Sequence, residues 1–263
     1  MVADTGLDAS VPLLCHVEES GVAHVVLNRP ARRNALDADL ASRLGSALES
    51  LDDAPAVGAV VLSGAAPGFC AGSDMKNLAG MTPADMARHE ARMAAVARTI
   101  ALLQTPVIAA VEGFAVGGGF LLATSCDVVV SASDVRWHLP EVTLGWVPPW
   151  GLQALTVRVG PVVARRLAWG AHPIDGAAAR EIGVADDLTE PGQAVTHALE
   201  QARALASLPR NSVTSTKRAF ASLAGQSAET LDAQTAAAFE RDCHSPNARS
   251  TFSQLFRDSG ASS

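Results

Sequence analysis

The amino-acid sequence predicts an α/β fold in which parallel strands alternate with helices, followed by a helical C-terminal region. Three apolar runs have the length of buried strands, at residues 57–62, 106–111 and 126–130. Segments with helical periodicity separate them, which is typical of parallel sheets with crossover helices. Beyond about residue 161 the pattern is almost wholly helical, and the composition changes near residue 200. We therefore expect a core at residues 1–200 and a helical extension at residues 201–263.

The N-terminal part of this core is predicted to start with a hairpin and a helix. Residues 13–27 contain two apolar runs that flank the polar turn Glu18-Glu19-Ser20-Gly21, a pattern typical of a β-hairpin. Asp37 is placed to cap a helix through Leu51, because an aspartate side chain can accept from the free N–H groups of the first turn. Leucines follow at helical spacing, at positions 40, 44, 48 and 51.

The remaining elements are marked by proline, glycine and periodicity. Residues 65–80 are predicted to form a loop, and Thr82-Pro83 begins a helix to about Leu103, with proline in its first turn. Residues 120–125 form a short apolar helix after three glycines. The C-terminal helices are predicted at 161–168, 175–181, 192–207, 211–223, 228–241 and 247–257, with separators at Pro209 and at Gly225-Gln226-Ser227.

The composition bounds the classes of partner. The chain has a formal net charge of −7, with 48% hydrophobic and 18% charged residues, which is typical of a globular protein and disfavours nucleic-acid binding. Its four cysteines have no CxxC or metal-site spacing, so we expect free thiols and no metal. Residues 1–12 lack the pattern of a secretory signal, and no apolar run is long enough for a membrane span. We expect a cytoplasmic protein that binds no membrane.

Two glycine-containing segments can present backbone N–H groups to a ligand. Gly72-Ser73-Asp74 follows a predicted strand, and a glycine there allows close approach to a ligand, although the same residues also form ordinary turns. Gly117-Gly118-Gly119 opens a predicted helix, whose unpaired first-turn N–H groups suit an anion or a developing oxyanion. The glycines could equally hold a phosphate or allow close packing. The pattern is neither GxGxxG nor a P-loop, so nucleotide-binding folds are disfavoured.

One carboxylate stands out as a candidate acid–base group. Glu141 lies among apolar and aromatic residues, an environment that raises a carboxyl pKa and suits proton transfer, although a capping or surface role is the alternative. His138 is a second candidate, but a lone histidine is more often structural. Trp146 and Trp150 are predicted to form either a pocket wall or core.

Taken in order, these segments resemble the crotonase family, also called the enoyl-CoA hydratase/isomerase family. The resemblance rests on residues 28–30, 31–36, 69–76, 113–119, 126–127, 140–145, and 209 with 216–219. It implies a crotonase-like spiral of ββα units, with residues 201–263 forming a helical trimerisation region in a homotrimer or dimer of trimers. It further implies an acyl-CoA thioester substrate, no cofactor besides this coenzyme A, and an oxyanion hole formed by the N–H groups of Ser73 and Gly118.

The same resemblance implies the residues that line the substrate and CoA site, with Glu141 as the acid–base group. Ser73 to Lys76 should line it, with the region around Ala35 near the nucleotide end and basic side chains meeting the CoA phosphates. The full expected set is Arg33, Ala35, Ala71, Ser73, Asp74, Met75, Lys76, Gly118, Leu121 and Trp146.

Two positions depart from the usual family pattern. Ser73 stands where alanine is common, and Leu121 stands where hydratases of the family carry the first of two glutamates. Only Glu141 is retained, as in single-glutamate members such as Δ3,Δ2-enoyl-CoA isomerases, hydroxycinnamoyl-CoA hydratase-lyases and carboxymethylproline synthase. The sequence favours isomerisation or hydration. Hydratase-lyase or other carbon–carbon chemistry, and a catalytically weak acyl-CoA-binding homologue, remain alternatives.

Overall fold

A computed structural model of the protein describes residues 11–225 and 228–260. The segment predicted to lack a secretory signal lies mostly outside the described residues, and so do two residues of the predicted separator at 225–227. Within the described part of the chain, no helix is both long enough and apolar enough to cross a membrane.

Within residues 11–225 and 228–260, eight strands form two sheets. In chain order they are β1 (Leu13–Val17), β2 (Val22–Leu27), β3 (Ala59–Gly64), β4 (Val107–Val111), β5 (Phe114–Val116), β6 (Val128–Ala132), β7 (Arg136–His138) and β8 (Asp187–Thr189). The main sheet has the order β1-β2-β3-β4-β6-β8, while β5 pairs with β7 in a small parallel sheet. The β1–β2 pair is antiparallel and every following pair in the main sheet is parallel, which confirms the predicted hairpin and the predicted parallel sheet.

The helices connect and cover these strands. They are α1 (Ala38–Asp53), α2 (Met75–Leu78), α3 (Pro83–Leu102), α4 (Gly118–Thr124), α5 (Glu141–Leu144), α6 (Leu152–Ala168), α7 (Gly176–Glu181), α8 (Ala194–Ala206), α9 (Arg210–Gly225), α10 (Ala228–Cys243) and α11 (Pro246–Gly260). Asp37 caps α1 by accepting from the N–H of Leu40, as predicted. The four leucines of α1 predicted to share one face are all buried in the main core, which also holds Met93 and Ile100 of α3.

Three features differ from the sequence prediction. Helix α6 begins at Leu152 rather than at residue 161, because non-helical dihedral angles at Gly160 interrupt it and Pro161 then looks like a helix start. The loop predicted at residues 65–80 contains the four-residue helix α2. Strands β5, β7 and β8 have three residues each, which is too short for a period of two to stand out in the sequence.

The expected boundary at residues 200/201 falls inside α8. The buried face of α8 consists of Ala194, Ala198 and Ala202, and it packs against apolar residues of β2, β3, β4 and β6. The helix that carries the boundary is therefore part of the packing of the main sheet, whereas α9, α10 and α11 follow beyond it.

Candidate active site

The two glycine-containing segments lie against each other. Gly117 follows β5 with φ +55° and ψ −125°, and α4 begins at Gly118. A Cβ atom built on Gly72 would lie 2.8 Å from the carbonyl oxygen of Val116 and 3.0 Å from the nitrogen of Gly118. A Cβ built on Gly118 would lie 3.7 Å from the nitrogen of Ser73. The structure thus brings the backbone nitrogens of Ser73 and Gly118 to one place, and only glycine allows this approach.

A network of backbone and charged groups fixes the segment that carries Ser73. The N–H of Leu36 donates to the carbonyl of Gly72, and the N–H of Asp74 donates to the carbonyl of Leu36, both at 2.8 Å. The guanidinium of Arg29 pairs with Asp37 at 2.7 Å and with Asp74 at 3.4 Å. Since these partners hold the peptides on both sides of Ser73, its own N–H has a defined direction.

Glu141 is the first residue of α5 and is only 7% exposed. A Cβ built on Gly117 would lie 2.9 Å from its Oε1 atom, so its carboxylate faces the glycine turn. Its Oε2 atom is buried without a hydrogen-bond partner in the described structure. Burial raises the pKa of Glu141 to about 8, and the neighbouring Glu90 contributes to the rise. A buried carboxyl group with a free oxygen and a pKa near neutrality is suited to accepting and returning a proton.

Adjacent backbone nitrogens and a buried carboxyl group beside them are the parts that carbonyl binding and proton transfer require. Residues 17–254 match the enoyl-CoA hydratase/isomerase family. The chain belongs to this family.

The comparisons with individual proteins agree. The chain is 36% identical over 208 residues to a protein of Mycobacterium bovis named "Probable enoyl-CoA hydratase echA8", covering 76% of this chain and 79% of that one. It is 34% identical over 227 residues to the short-chain-enoyl-CoA hydratase of Clostridium acetobutylicum, covering 86% and 85%. An enoyl-CoA hydratase/isomerase crystal structure from Xanthobacter autotrophicus Py2 superposes with a TM-score of 0.84 at 25% identity, covering 95% and 96%. The fold is therefore the crotonase fold, and the protein is an acyl-CoA enzyme.

Within this enoyl-CoA hydratase/isomerase site, the structure contains a second buried carboxylate that the sequence analysis missed. Glu90 of α3 is 4% exposed. Its Oε1 accepts from the Ser73 hydroxyl at 2.6 Å, and its Oε2 accepts from the indole N–H of Trp150 at 2.8 Å. Burial raises the pKa of Glu90, while the two hydrogen bonds and the neighbouring His89 act in the opposite direction.

A signal for Glu90 was present in the sequence. The buried face of α3 includes Met86, Met93 and Ala97, and Glu90 lies on this same face at helical spacing. A glutamate on a mainly apolar helix face is expected to be buried only when other groups satisfy its oxygens. The pattern therefore marks Glu90 as unusual, although the sequence could not name its partners.

The residues of positions 33–35 and 71–76 that are expected to contact CoA lie on two segments near the Ser73 and Gly118 nitrogens, which are called the oxyanion pair below. Ala71 donates its N–H to the carbonyl of Arg33 at 3.1 Å, so the two expected CoA segments are adjacent. The Arg33 guanidinium lies 4.4 Å from the centre of the Phe114 ring, and Ala35 is buried. Met75 and Lys76 form the start of α2, with Lys76 exposed.

Three further candidates lie in packed surroundings. Leu121 is fully buried in the main core, and a Cβ built on Gly151 would lie 2.9 Å from the Cβ of Leu121. Trp146 is 5% exposed and stacks on Phe252 with ring centres 4.9 Å apart. The Nε2 atom of His138 is 2.9 Å from a backbone carbonyl oxygen, which fits the structural alternative for this histidine. Trp150, unlike Trp146, reaches the site through Glu90 and Gly118.

Proposed function

We propose that the protein binds an enoyl-CoA thioester carbonyl through the N–H groups of Ser73 and Gly118 and that Glu141 moves the proton. The observation that carries this proposal is the position of the buried Glu141 carboxylate against Gly117, directly beside the adjacent backbone nitrogens of Ser73 and Gly118. Two donors for an oxyanion and one proton acceptor, from three segments of the chain, thereby lie next to one another.

The chemistry follows from the charge that develops on the thioester oxygen. Removing a proton from the acyl chain, or adding water to its double bond, places negative charge on that oxygen as an enolate. Two fixed N–H donors stabilise the negatively charged oxygen more than they stabilise the neutral carbonyl oxygen. Loss of one such donor costs about 10²–10³ in rate. In isomerisation, Glu141 takes a proton from one carbon and returns it to another. In hydration, Glu141 takes a proton from water as the water oxygen adds to the β-carbon, and it then delivers that proton to the α-carbon.

We favour isomerisation or hydration over carbon–carbon cleavage. The relatives named as enoyl-CoA hydratases support this class. Leu121 leaves Glu141 as the acid–base group with a free oxygen, which is compatible with both reactions. Leu121 also motivates the alternatives of hydratase-lyase chemistry and of an acyl-CoA-binding homologue with weak catalysis, since a fold does not guarantee its chemistry.

Three further parts of this proposal concern the assembly, the coenzyme and the cellular compartment. We propose a homotrimer or dimer of trimers, supported by an open groove of about 1,300 Å³ between α3, α6, α9 and α10. Exposed apolar side chains line this groove, including Leu102 and Phe220 at 69% and 65% exposure. We propose that the side chains of Arg33 and Lys76 bind the CoA phosphates. We also propose that the enzyme works in the cytoplasm.

The decisive experiment is a substrate panel with mass detection of the products. Crotonyl-CoA, a 3-enoyl-CoA and a hydroxycinnamoyl-CoA are each incubated with the wild type, with Glu141→Gln and with Asp85→Asn. Hydration adds the mass of one water to the thioester, and cleavage yields two products. Isomerisation changes the chromatographic retention time of the thioester at constant mass. We expect Glu141→Gln to lose turnover but to keep binding unreactive butyryl-CoA. Asp85 is an exposed carboxylate on α3, so its variant is the matched control.

Full activity of Glu141→Gln would show that its assigned role is wrong. Binding of every thioester by the wild type without turnover of any of them would favour the binding homologue instead.

A further inference from the structure

A single buried carboxylate joins three separate parts of the chain at the site. Glu90 lies on α3, Ser73 lies on the segment before α2, and Trp150 lies just before α6. Both oxygens of Glu90 accept a side-chain hydrogen bond, one from each partner, at 2.6 and 2.8 Å. Because a buried carboxylate is costly without such donors, the positions of the two donors depend on Glu90 and that of Glu90 depends on them.

Each partner of Glu90 contacts one side of the oxyanion pair. Ser73 supplies one backbone N–H itself, and its half-buried side chain donates to Glu90. The indole ring of Trp150 packs against the other residue, since a Cβ built on Gly118 would lie 3.0 Å from its Cζ2 atom. Glu90 therefore contacts Ser73 directly and Gly118 through the Trp150 ring, so it is linked to both residues of the oxyanion pair.

We propose that Glu90 is a positioning residue that sets the spacing of the Ser73 and Gly118 N–H groups through the Ser73 hydroxyl and the Trp150 indole. The inference rests on the proposed oxyanion hole and names the residue that maintains it. It also gives the side chain of Ser73 a purpose. A backbone donor needs no hydroxyl, yet here the hydroxyl is half of the link to Glu90.

Two variants separate hydrogen bonding from simple volume. In Glu90→Gln, the amide oxygen can still accept from Trp150, and the amide nitrogen can donate to the Ser73 oxygen. In Glu90→Leu, both donors lose their partner while an apolar side chain of similar size fills the space. Misplacing a reacting group by about 1 Å costs on the order of 10² in rate, so we expect Glu90→Leu to lower kcat about 10–100-fold. Glu90→Gln should stay within about fivefold of wild type, because its hydrogen bonds persist.

The direct readout is the carbonyl stretch of bound butyryl-CoA, isotopically labelled at the thioester carbonyl and followed by infrared spectroscopy. Two well-placed donors polarise the carbonyl and lower its frequency. We expect the lowered frequency in wild type, in Glu90→Gln and in the Asp85→Asn control. In Glu90→Leu and in Trp150→Phe, which lacks the indole N–H, it should move towards the value for free butyryl-CoA. Calorimetric titration should show butyryl-CoA dissociation constants within about threefold of each other, because binding is shared with the whole CoA site.

The spectroscopic measurement does not require turnover. If the wild type polarises butyryl-CoA but converts no enoyl-CoA, the proposed reaction fails while the role of Glu90 is still tested. An unchanged carbonyl frequency in Glu90→Leu would overturn the proposal. If Glu90→Gln lost as much kcat and as much of the carbonyl frequency shift as Glu90→Leu, the proposal would also be overturned. The charge of Glu90, and not its hydrogen bonds, would then be responsible for the polarised carbonyl. Should Glu90→Leu not fold, Trp150→Phe gives the same comparison.

Discussion

Replacing Glu141 with glutamine is expected to abolish turnover and, at alkaline pH, to stabilise the fold. Burial raises the pKa of Glu141 from about 4.5 to about 8 in the folded protein. Below pH 4.5 the group is protonated in both the folded and the unfolded chain, so the fold keeps its full stability. As the pH rises from 4.5 to 8, the unfolded chain releases this proton while the folded chain holds it. Unfolding becomes more favourable over this range, and the effect stops once the folded carboxyl group has also ionised.

The size of the effect follows from the same two pKa values. They differ by about 3.5, and one unit corresponds to about 1.4 kcal/mol, so ionisable Glu141 lowers the free energy of unfolding by at most about 5 kcal/mol between these limits. Glutamine resembles the protonated acid and carries no such dependence. The variant and the wild type should therefore match near pH 4.5, and the variant should be the more stable protein at pH 9.

The assay is urea unfolding of both proteins at several pH values and one protein concentration, followed by circular dichroism. The quantity of interest is the difference in unfolding free energy between the two proteins, because contributions from all other groups cancel in it. A difference that does not grow between pH 5 and pH 8 would refute the raised pKa. In the same window, kcat/KM of the wild type should rise with pH and level off above about pH 8, as Glu141 becomes the base.

Three further predictions concern the turn, the core and the surface. Gly117→Ala should lower kcat by at least about 10²-fold and the free energy of unfolding by about 1–3 kcal/mol. The φ of +55° at Gly117 disfavours a side chain, and the new Cβ would meet Glu141 Oε1. Steady-state kinetics measure the first effect and urea unfolding measures the second. Leu121→Glu should not create a more active hydratase and should cost about 2–4 kcal/mol, since Leu121 is fully buried; gain of crotonyl-CoA hydration would contradict this. Hydrogen bonds from Arg203 lower the pKa of Glu18 to about 2. Glu18→Gln should therefore lower the free energy of unfolding by under about 1 kcal/mol at pH 7, and this cost should vanish as the pH falls through 2. In the same unfolding assay, the pH dependence from Glu18 should have the opposite sign to that from Glu141.

The parts of the fold that depend on local chemistry could be predicted from the sequence. The cap at Asp37 and the buried leucines of α1 follow from a side chain and a period that act within a few residues. The adjacency of Ser73 and Gly118 followed from resemblance, and no local pattern specifies it, because these residues lie on different segments joined by the backbone hydrogen bonds of Cys70 with Phe114 and Val116. The three-residue strands depend on tertiary pairing that a short window of sequence does not contain.

Glu90 shows why part of the site could not be predicted. Its helix and its buried face are visible in the spacing of apolar residues along α3. Its two donors lie 17 and 60 positions away in the chain, and only the folded structure shows that they meet at one carboxylate. Sequence reasoning could have identified Glu90 as an unexpected buried charge, but not as a neighbour of the oxyanion pair.

The two buried glutamates differ in what their surroundings allow them to do. Both oxygens of Glu90 accept hydrogen bonds, so moving a proton there would require breaking a link that supports the backbone donors. Glu141 has a buried oxygen that none of the described residues hydrogen-bonds, beside the turn that would hold the thioester oxygen. Environment therefore divides the roles, as in other enzymes in which two carboxyl groups share one site. The described part of the site has two buried glutamates, yet it should behave as a single-glutamate enzyme, in which Glu141 carries the proton and Glu90 maintains the geometry.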